Sequence, residues 1–283
     1  MKADVPPSAP SGIDMANQES LDLSRVFELE PHGPDTFVGE SPKYSWGRIF
    51  GGLVVAQALW SAIQTVKPEC FVHSLHTYFI LGGNFDEPVR YEVDRVRNGR
   101  SFATRRVVAR QSAGAILTLA CSFQVKEAGQ ETQSTPFPAG VPDPKDEDSV
   151  YDGGALLIDV ETSKAPPRSR MWARYPAQAD LDPRVHPCIL AYLSDMNPMT
   201  AVHASLAEGA DVDEAEGASL DHAMWFHRPG RPNDWVLLDM EGHGMVGTRG
   251  LATGRIFDRS GAHLATVAQE GLLRPTRRVP AKG

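Results

Sequence analysis

The sequence has few cysteines and lacks the short signatures of the common hydrolase classes. Its three cysteines, Cys70, Cys121 and Cys188, lie far apart and form no C-x-x-C pair, so neither a zinc cluster nor a disulfide framework is indicated. A reducing cytoplasm fits this pattern best. No H-E-x-x-H and no G-x-S-x-G run occurs, so zinc hydrolases and serine hydrolases of the usual type lack their signatures here. We therefore expect no metal and no cofactor.

Long apolar runs and an excess of positive charge are also missing. The apolar runs are well short of the roughly 18 residues that a membrane helix needs, so we expect a soluble chain without membrane insertion. The net charge of -8 and the pI near 5.6 argue against a broad nucleic-acid surface. The arginines between Arg97 and Arg110 form the densest basic group. They could hold a phosphate-bearing ligand, with Arg100 as the candidate contact, although a solvated strand face is the simpler interpretation.

The length of 283 residues allows one large domain or two small ones. Residues 1–18 are rich in Pro, Ser, Asp and Asn and contain no apolar core. This composition predicts a flexible N-terminal tail and is unlike a signal peptide or a membrane segment. We expect a C-terminal tail over residues 275–283.

The first half predicts one buried helix followed by an antiparallel meander. Residues 49–63 are apolar on nearly every face, which is typical of a buried helix. The pair Gly51-Gly52 at its start leaves backbone N–H groups open to an anion or to a developing oxyanion, or simply lets the helix approach a sheet. Strands are predicted over residues 71–81, 89–97, 102–111 and 115–125, with Asn98-Gly99 as a two-residue hairpin turn. A polar, proline-rich linker is predicted over residues 127–150.

The second half repeats the first at an offset of 147 residues. Tyr78-Phe79 matches Trp225-Phe226 and Gly83 matches Gly230 at this offset. A second apolar helix is predicted from Pro187 to Asp195, and strands over residues 219–227, 235–241, 246–257 and 262–273. The predicted fold class is α+β, in which repeats over residues 19–126 and 151–274 form one continuous sheet around two buried helices.

Three polar side chains interrupt the apolar elements of the second half. Asp195 lies on the second helix, Ser219 begins a strand, and Gln269 lies within another apolar strand. A buried polar group is costly unless it is hydrogen-bonded, so these side chains are expected to satisfy one another or a held water. They form the candidate catalytic site.

Two further patterns, a histidine pair and a glycine-rich run, are interpreted as structural rather than functional. His222 and His227 flank Trp225-Phe226, and strict strand alternation places Ser219 and His227 on one face and His222 on the other, so they do not converge. Gly242-His-Gly-Met-Val-Gly247 satisfies G-x-G-x-x-G but is followed by a strand-like, glycine-broken run. It does not predict a nucleotide site.

Five motifs together resemble the acyl-CoA thioesterase II family, which has a double hotdog fold. They start at Gly47, Val72, Ser194, Asp221 and Gln269, and read GRIFGGLVVAQAL, VHSLHTYF, SDMN, DHAMWFHRP and QEGLLR. The match spans roughly residues 20–274. The chain departs from many relatives at two places. Leu53 replaces a Gln after the glycine pair, and Leu81-Gly-Gly83 replaces Arg-Pro-Gly.

The resemblance implies hydrolysis of acyl-CoA thioesters to free fatty acid and CoA. The family's Asp, Ser or Thr, and Gln correspond to Asp195, Ser219 and Gln269, where the carboxylate activates a water that the other two orient. Gly51 and Gly52 are candidate substrate contacts, and a homo-oligomer, dimer or tetramer, is implied.

Two alternatives remain open at this point. The run Ser194-Asp-Met-Asn-Pro198 is similar to hotdog hydratases, in which a catalytic histidine follows closely, but here the nearest histidine is His203. The other alternative is a non-catalytic acyl-CoA-binding protein.

Overall fold

The computed structural model describes residues 25–44, 47–176, 182–206, 212–231 and 233–275. The side chains of residues 212–216 and 275 are not described, and the predicted N-terminal tail, together with the predicted C-terminal tail beyond Pro275, lies outside these ranges. Within them, no helix is both long and apolar enough to cross a membrane.

The described part of the chain contains three α-helices. Helix α1 spans Gly51–Ile63, α2 spans His186–Ser194, and α3 spans Pro198–Ala204. Eleven of the thirteen residues of α1 are buried, as its apolar composition predicts. Helix α3 was not predicted, because Pro198 opens it directly after the Asp195–Asn197 break. The second repeat therefore has a broken helical segment where the first has a single helix.

Among the described residues, thirteen strands form the sheet. They are β1 Glu30–Pro31, β2 Thr36–Gly39, β3 Cys70–Phe79, β4 Val89–Asn98, β5 Phe102–Gln111, β6 Gly114–Val125, β7 Val150–Asp152, β8 Ala155–Lys164, β9 Pro167–Arg174, β10 Val212–Phe226, β11 Val236–Val246, β12 Arg249–Asp258 and β13 His263–Pro275. The predicted two-residue turn at Asn98-Gly99 is wrong, since three residues separate β4 from β5. Strands β7 to β9 had no counterpart in the sequence prediction.

All thirteen strands belong to one antiparallel sheet in the order β1-β2-β4-β5-β6-β3-β10-β13-β12-β11-β9-β8-β7. Strands β3 and β10 pair directly, from Asp221 opposite Tyr78 to Trp225 opposite Ser74, and join the two repeats at the centre. Helix α1 packs against the strands of the first repeat and against α2, whereas α3 packs against β8, β9, β11 and β12. One large apolar core runs through both repeats.

The two repeats share their irregularities as well as their strand order. The β3–β6 pairing shifts register between Val72 and Ser74, and the β10–β13 pairing shifts between Ser219 and Asp221, 147 residues later. A bulge adds one residue and reverses the alternation of side chains beyond it. The strict alternation predicted for Ser219 to His227 is therefore wrong, because Ser219 and His222 face the same side of the sheet.

The segment predicted as a linker packs over the outer face of the second repeat. Phe137 and Val141 cover a small second core that includes Trp172 and Trp235. The indole N–H of Trp172 donates to Pro142 O at 2.9 Å, and that of Trp235 donates to Asp146 Oδ1 at 3.0 Å. The proline-rich composition did not reveal this packing, since it depends on aromatic residues far away in sequence.

The glycines of the G-x-G-x-x-G pattern have packing roles. Gly242 lies where α3 approaches β11, and a Cβ atom there would lie 2.1 Å from the backbone oxygen of Ala201. Gly244 and Gly247 adopt φ angles of +92° and +63° near the β11–β12 turn. The three glycines thus have structural roles, and the absence of a nucleotide site stays a prediction.

We predict that Gly242→Ala destabilises the protein by about 1–3 kcal/mol, because the backbone of α3 must move to accept the added methyl group. Thermal unfolding followed by circular dichroism should show a clearly lower melting temperature. Gly129→Ala is the matched control, since nothing lies within 4 Å of a Cβ atom at that glycine. Equal melting temperatures for the two variants would contradict the close packing of α3 on β11.

Candidate active site

A cavity of about 780 Å³ lies where the start of α1, the break between α2 and α3, and strand β10 meet. Gly51, Asp195 and Ser219 line it, so residues from both repeats contribute to its wall. The larger part of the wall is apolar and includes Phe50, Val54, Phe79, Ile116, Leu157 and Met199. The cavity thus combines an apolar space with a small polar group of side chains.

Asp195 follows the last residue of α2 and occupies the C-cap position. Its carboxylate lies between the C-terminal end of α2 and the N-terminal end of α1, whose N-cap residue, Phe50, makes no side-chain capping hydrogen bond. Burial raises the pKa of Asp195 to about 7. The backbone N–H of Gly52 and the amide of Gln269 lower this pKa, because donors favour the charged form.

The two carboxylate oxygens of Asp195 have different surroundings. Oδ1 is buried and has no hydrogen-bond partner among the described residues. Oδ2 lies so close to α1 that a Cβ atom at Gly51 would be 2.9 Å away, and one at Gly52 would meet Tyr192 O at 2.7 Å. Both glycines are therefore needed for the close approach of α1 to the α2–α3 break. A buried oxygen without a partner, beside a cavity, indicates a place for a bound water or substrate group.

Ser219 and Gln269 are joined by a direct hydrogen bond. Gln269 Nε2 lies 2.8 Å from Ser219 Oγ, and Gln269 is 1% exposed. Ser219 lines the cavity, whereas the amide of Gln269 lies behind it, between the hydroxyl and the core. The structure brings all three predicted side chains together, since Gln269 also acts on the Asp195 carboxylate.

His222 extends this cluster and was not predicted to belong to it. Its Nδ1 lies 2.5 Å from Gln269 Oε1, and its Nε2 lies 2.9 Å from Ser194 Oγ. Burial lowers the pKa of His222 to about 4, so the ring is neutral near pH 7. The bulge in β10 turns His222 to the same side as Ser219, and a bulge of this kind left no signal in the local sequence. His227, in contrast, is exposed and contacts Thr266 Oγ1 at 2.8 Å.

The first repeat has apolar side chains and a thiol at the equivalent positions. Val72 precedes the bulge in β3, and the pair Leu75–Cys121 occupies the place that His222–Gln269 has in the second repeat. All three residues are buried. The polar cluster is thus confined to the second repeat, although both repeats have the same backbone pattern.

Two other predicted substrate contacts, Gly52 and Arg100, do not line the cavity. Gly52 approaches the Asp195 carboxylate rather than the open cavity. Arg100 is exposed in the β4–β5 turn, at the end of the strands away from the cavity, roughly 25 Å along β5 from the wall near Leu117. Leu53 is fully buried and is absent from the wall, whereas Leu81 and Gly82 line it. Of the two departures from the family pattern, only the second changes the cavity itself.

Family models match both repeats. The acyl-CoA thioesterase N-terminal domain matches residues 41–124, and acyl-CoA thioesterase matches residues 159–272. Acyl-CoA thioesterase 2 of Haemophilus influenzae is 34% identical over 281 residues, which cover 89% of this chain and 96% of that protein. The chain belongs to the acyl-CoA thioesterase family.

Solved structures of thioesterases and related proteins share the architecture. An acyl-CoA thioesterase II from Mycobacterium marinum superposes with a TM-score of 0.77 at 34% identity, covering 91% of this chain and 99% of that one. A protein of unknown function with a hot dog fold from Alicyclobacillus acidocaldarius gives a TM-score of 0.74 at 18% identity, covering 90% and 98%. The double hotdog architecture predicted for this thioesterase-family chain is confirmed.

Burial of the Asp195 carboxylate predicts a pH-dependent effect on the stability of this thioesterase-family protein. Because the pKa is raised from 3.8 to about 7 in the folded state, the folded protein binds the proton more tightly, and stability is lost as pH rises through 7. Asp195→Asn has no such charge. Its free energy of unfolding should therefore exceed that of the wild type. This excess should grow by roughly 2 kcal/mol between pH 5 and pH 8.

Urea unfolding at the two pH values measures this difference. Asp152→Asn is the control, since Asp152 lines the same cavity but is exposed. A constant difference between Asp195→Asn and wild type across this pH range would show that the buried carboxylate titrates normally.

Proposed function

We propose that this protein hydrolyses acyl-CoA thioesters to a free fatty acid and CoA, with Asp195 as the general base. The observation that carries the proposal is the buried Asp195 carboxylate, with one oxygen lacking a partner, beside the Ser219–Gln269 pair at an apolar cavity. A base with a pKa of about 7 is half deprotonated near neutral pH and still basic enough to take a proton from water. The relatives named as acyl-CoA thioesterases support this substrate class.

The proposed reaction uses a water held by Asp195 and Ser219, and Gln269 positions these two side chains from behind the cavity wall. Asp195 takes a proton from the water while the water oxygen bonds to the thioester carbonyl carbon, and the carbonyl oxygen becomes an oxyanion. The carbon–sulfur bond then breaks, and the proton held by Asp195 passes to the departing CoA thiolate. No covalent acyl-enzyme is formed. In this mechanism Ser219 and Gln269 contribute by orienting the water.

The start of α1 is the proposed oxyanion site. The first N–H groups of a helix have no intrahelical acceptor, and the partial positive charge there favours an anion. Phe50, the N-cap residue, provides no side-chain cap, and Gly51 faces the cavity. We assign the Gly51 N–H to the oxyanion and the Gly52 N–H to Asp195. A glycine at position 51 also leaves room for the thioester group.

Enoyl-CoA hydration is the second candidate function. It is favoured by one observation, namely that His203 on α3 lines the same cavity as Asp195. A hydratase would add water across a carbon–carbon double bond and leave the thioester intact. The two reactions are distinguished by supplying an enoyl-CoA and measuring both loss of the double bond and release of thiol.

The thioesterase proposal predicts release of free CoA thiol from a chain-length series of acyl-CoA esters. Asp195→Asn, Gln269→Ala and Ser219→Ala should each lower kcat, by roughly 100-fold or more for Asp195→Asn, because the base and its orienting groups act in the transition state. Thiol capture by a chromogenic disulfide measures the rate.

Asp152→Asn is the control for this series, because it changes another carboxylate on the cavity wall, and its kcat should stay within about threefold of wild type. Tight acyl-CoA binding without thiol release would instead identify a binding protein. Wild-type turnover in Asp195→Asn would exclude Asp195 as the base.

A further inference from the structure

We propose that His222 is a positioning residue that fixes the orientation of the Gln269 side-chain amide, so that its N–H groups face Ser219 and Asp195. This proposal rests on the hydrolytic function proposed above. His222 itself does not touch the cavity. It acts through Gln269, because one of its ring nitrogens contacts the amide oxygen at 2.5 Å.

The contacts form a single buried chain across the site. Ser219 Oγ contacts Gln269 Nε2 at 2.8 Å, Gln269 Oε1 contacts His222 Nδ1, and His222 Nε2 contacts Ser194 Oγ at 2.9 Å. Ser194 and His222 are 0% exposed. Ser194 directly precedes Asp195. The series of hydrogen-bonded side chains therefore begins at the end of α2, next to the proposed base Asp195, and ends at the Ser219 hydroxyl on the cavity wall. Ser219, Gln269 and His222 are thus connected by hydrogen bonds to the residue that precedes Asp195.

The histidine tautomer decides which way the amide points. A carboxamide can turn by 180° and exchange its donor and acceptor ends. If His222 Nδ1 carries the proton, it donates to Gln269 Oε1, and the amide N–H groups are directed at Ser219 and at the Asp195 carboxylate. If Nε2 carries the proton, Nδ1 is an acceptor and attracts the amide nitrogen, which turns Oε1 toward Asp195. Two acceptor oxygens would then face each other without a donor between them.

The first arrangement requires Ser194 to donate its hydroxyl proton to His222 Nε2, which lies 2.9 Å away. The same hydroxyl also lies 2.8 Å from Ala191 O, which competes for that proton. The contact between Gln269 and Asp195 decides between the two arrangements. In the second arrangement the buried carboxylate would keep the Gly52 N–H but would face an amide oxygen, which is more costly than a helical carbonyl that loses a second contact. Burial keeps the ring neutral, so His222 can serve as donor on one side and acceptor on the other.

The first repeat shows that the fold does not need a histidine at this position. Leu75 and Cys121 form the equivalent pair, are buried, and have the same backbone register after the same bulge. A polar pair in place of an apolar one adds a cost of desolvation. We therefore assign the His222–Gln269 pair to the reaction rather than to packing.

Two substitutions of His222 separate orientation from packing. His222→Leu introduces the side chain that the first repeat has at the equivalent position, and it removes the donor to Gln269 Oε1. We expect a fall in kcat of roughly 100-fold, the effect of losing a preorganised donor, with KM within about threefold. His222→Asn keeps an amide N–H close to the position of imidazole Nδ1, so it should retain kcat within about tenfold of wild type.

The matched control is Met224→Leu. Met224 is fully buried and its sulfur lies 3.2 Å from Ser194 Oγ, but it does not contact Gln269 in the chain described above. It should leave kcat within about threefold, because Met and Leu have similar volumes. The acid limb of the pH–kcat/KM profile provides a second measurement. It should move to higher pH in His222→Leu, where Asp195 loses its oriented donor, and should stay near the wild-type position in His222→Asn and Met224→Leu.

The tautomer of His222 can be measured without an activity assay. In protein labelled with 15N at histidine, one neutral histidine protonated at Nδ1 should persist at pH 5.5 and should be missing from the spectrum of His222→Leu. A neutral His222 protonated at Nε2 would overturn the proposal. Wild-type kcat in His222→Leu, or an equal loss of kcat in His222→Leu and His222→Asn, would also overturn it. If wild-type protein releases no thiol, the proposed function fails, and the spectrum still decides the orientation of Gln269.

Discussion

The carboxylate of Asp195 is buried in the protein interior, and the arrangement of the surrounding residues offsets part of the free-energy cost of burying it. It lies between the negative end of α2 and the positive end of α1, where Gly51 and Gly52 allow the two helices to approach closely. Burial raises its pKa to about 7. The same placement that makes the carboxylate costly to ionise makes it a stronger base than an exposed aspartate. Stability and reactivity at this position are therefore opposed.

Both repeats supply the scaffold, but they contribute differently to the site. They have the same strand order and bulges at equivalent positions. The first repeat provides the uninterrupted helix α1, whose start faces the cavity, and has Leu75 and Cys121 at the positions equivalent to His222 and Gln269. The second provides the broken helix with Asp195 and the strands with Ser219, His222 and Gln269. The side chains of the polar cluster therefore all come from the second repeat, and the first repeat contributes the start of α1.

Much of the fold and the centre of the site could be predicted from the sequence. The all-round apolar helix, the strand periodicity and the offset of 147 residues indicated two helix-plus-meander repeats. Asp195, Ser219 and Gln269 were distinguishable as polar residues in apolar elements. The face of His222 could not be predicted, because one extra residue in a strand reverses every side chain beyond it. The packing of Phe137 on distant tryptophans and the remote position of Arg100 likewise depend on contacts between residues far apart in sequence.

The central claim is that Asp195 activates a water that attacks the thioester directly. Single-turnover hydrolysis of an acyl-CoA in H₂¹⁸O, with enzyme in excess over substrate, tests this claim most directly. Direct attack by water predicts one ¹⁸O atom in the fatty acid formed in the first turnover and none in the protein. A fatty acid with only ¹⁶O in that turnover, together with ¹⁸O in the Asp195 side chain, would show that the carboxylate itself attacks the carbonyl and would contradict the account.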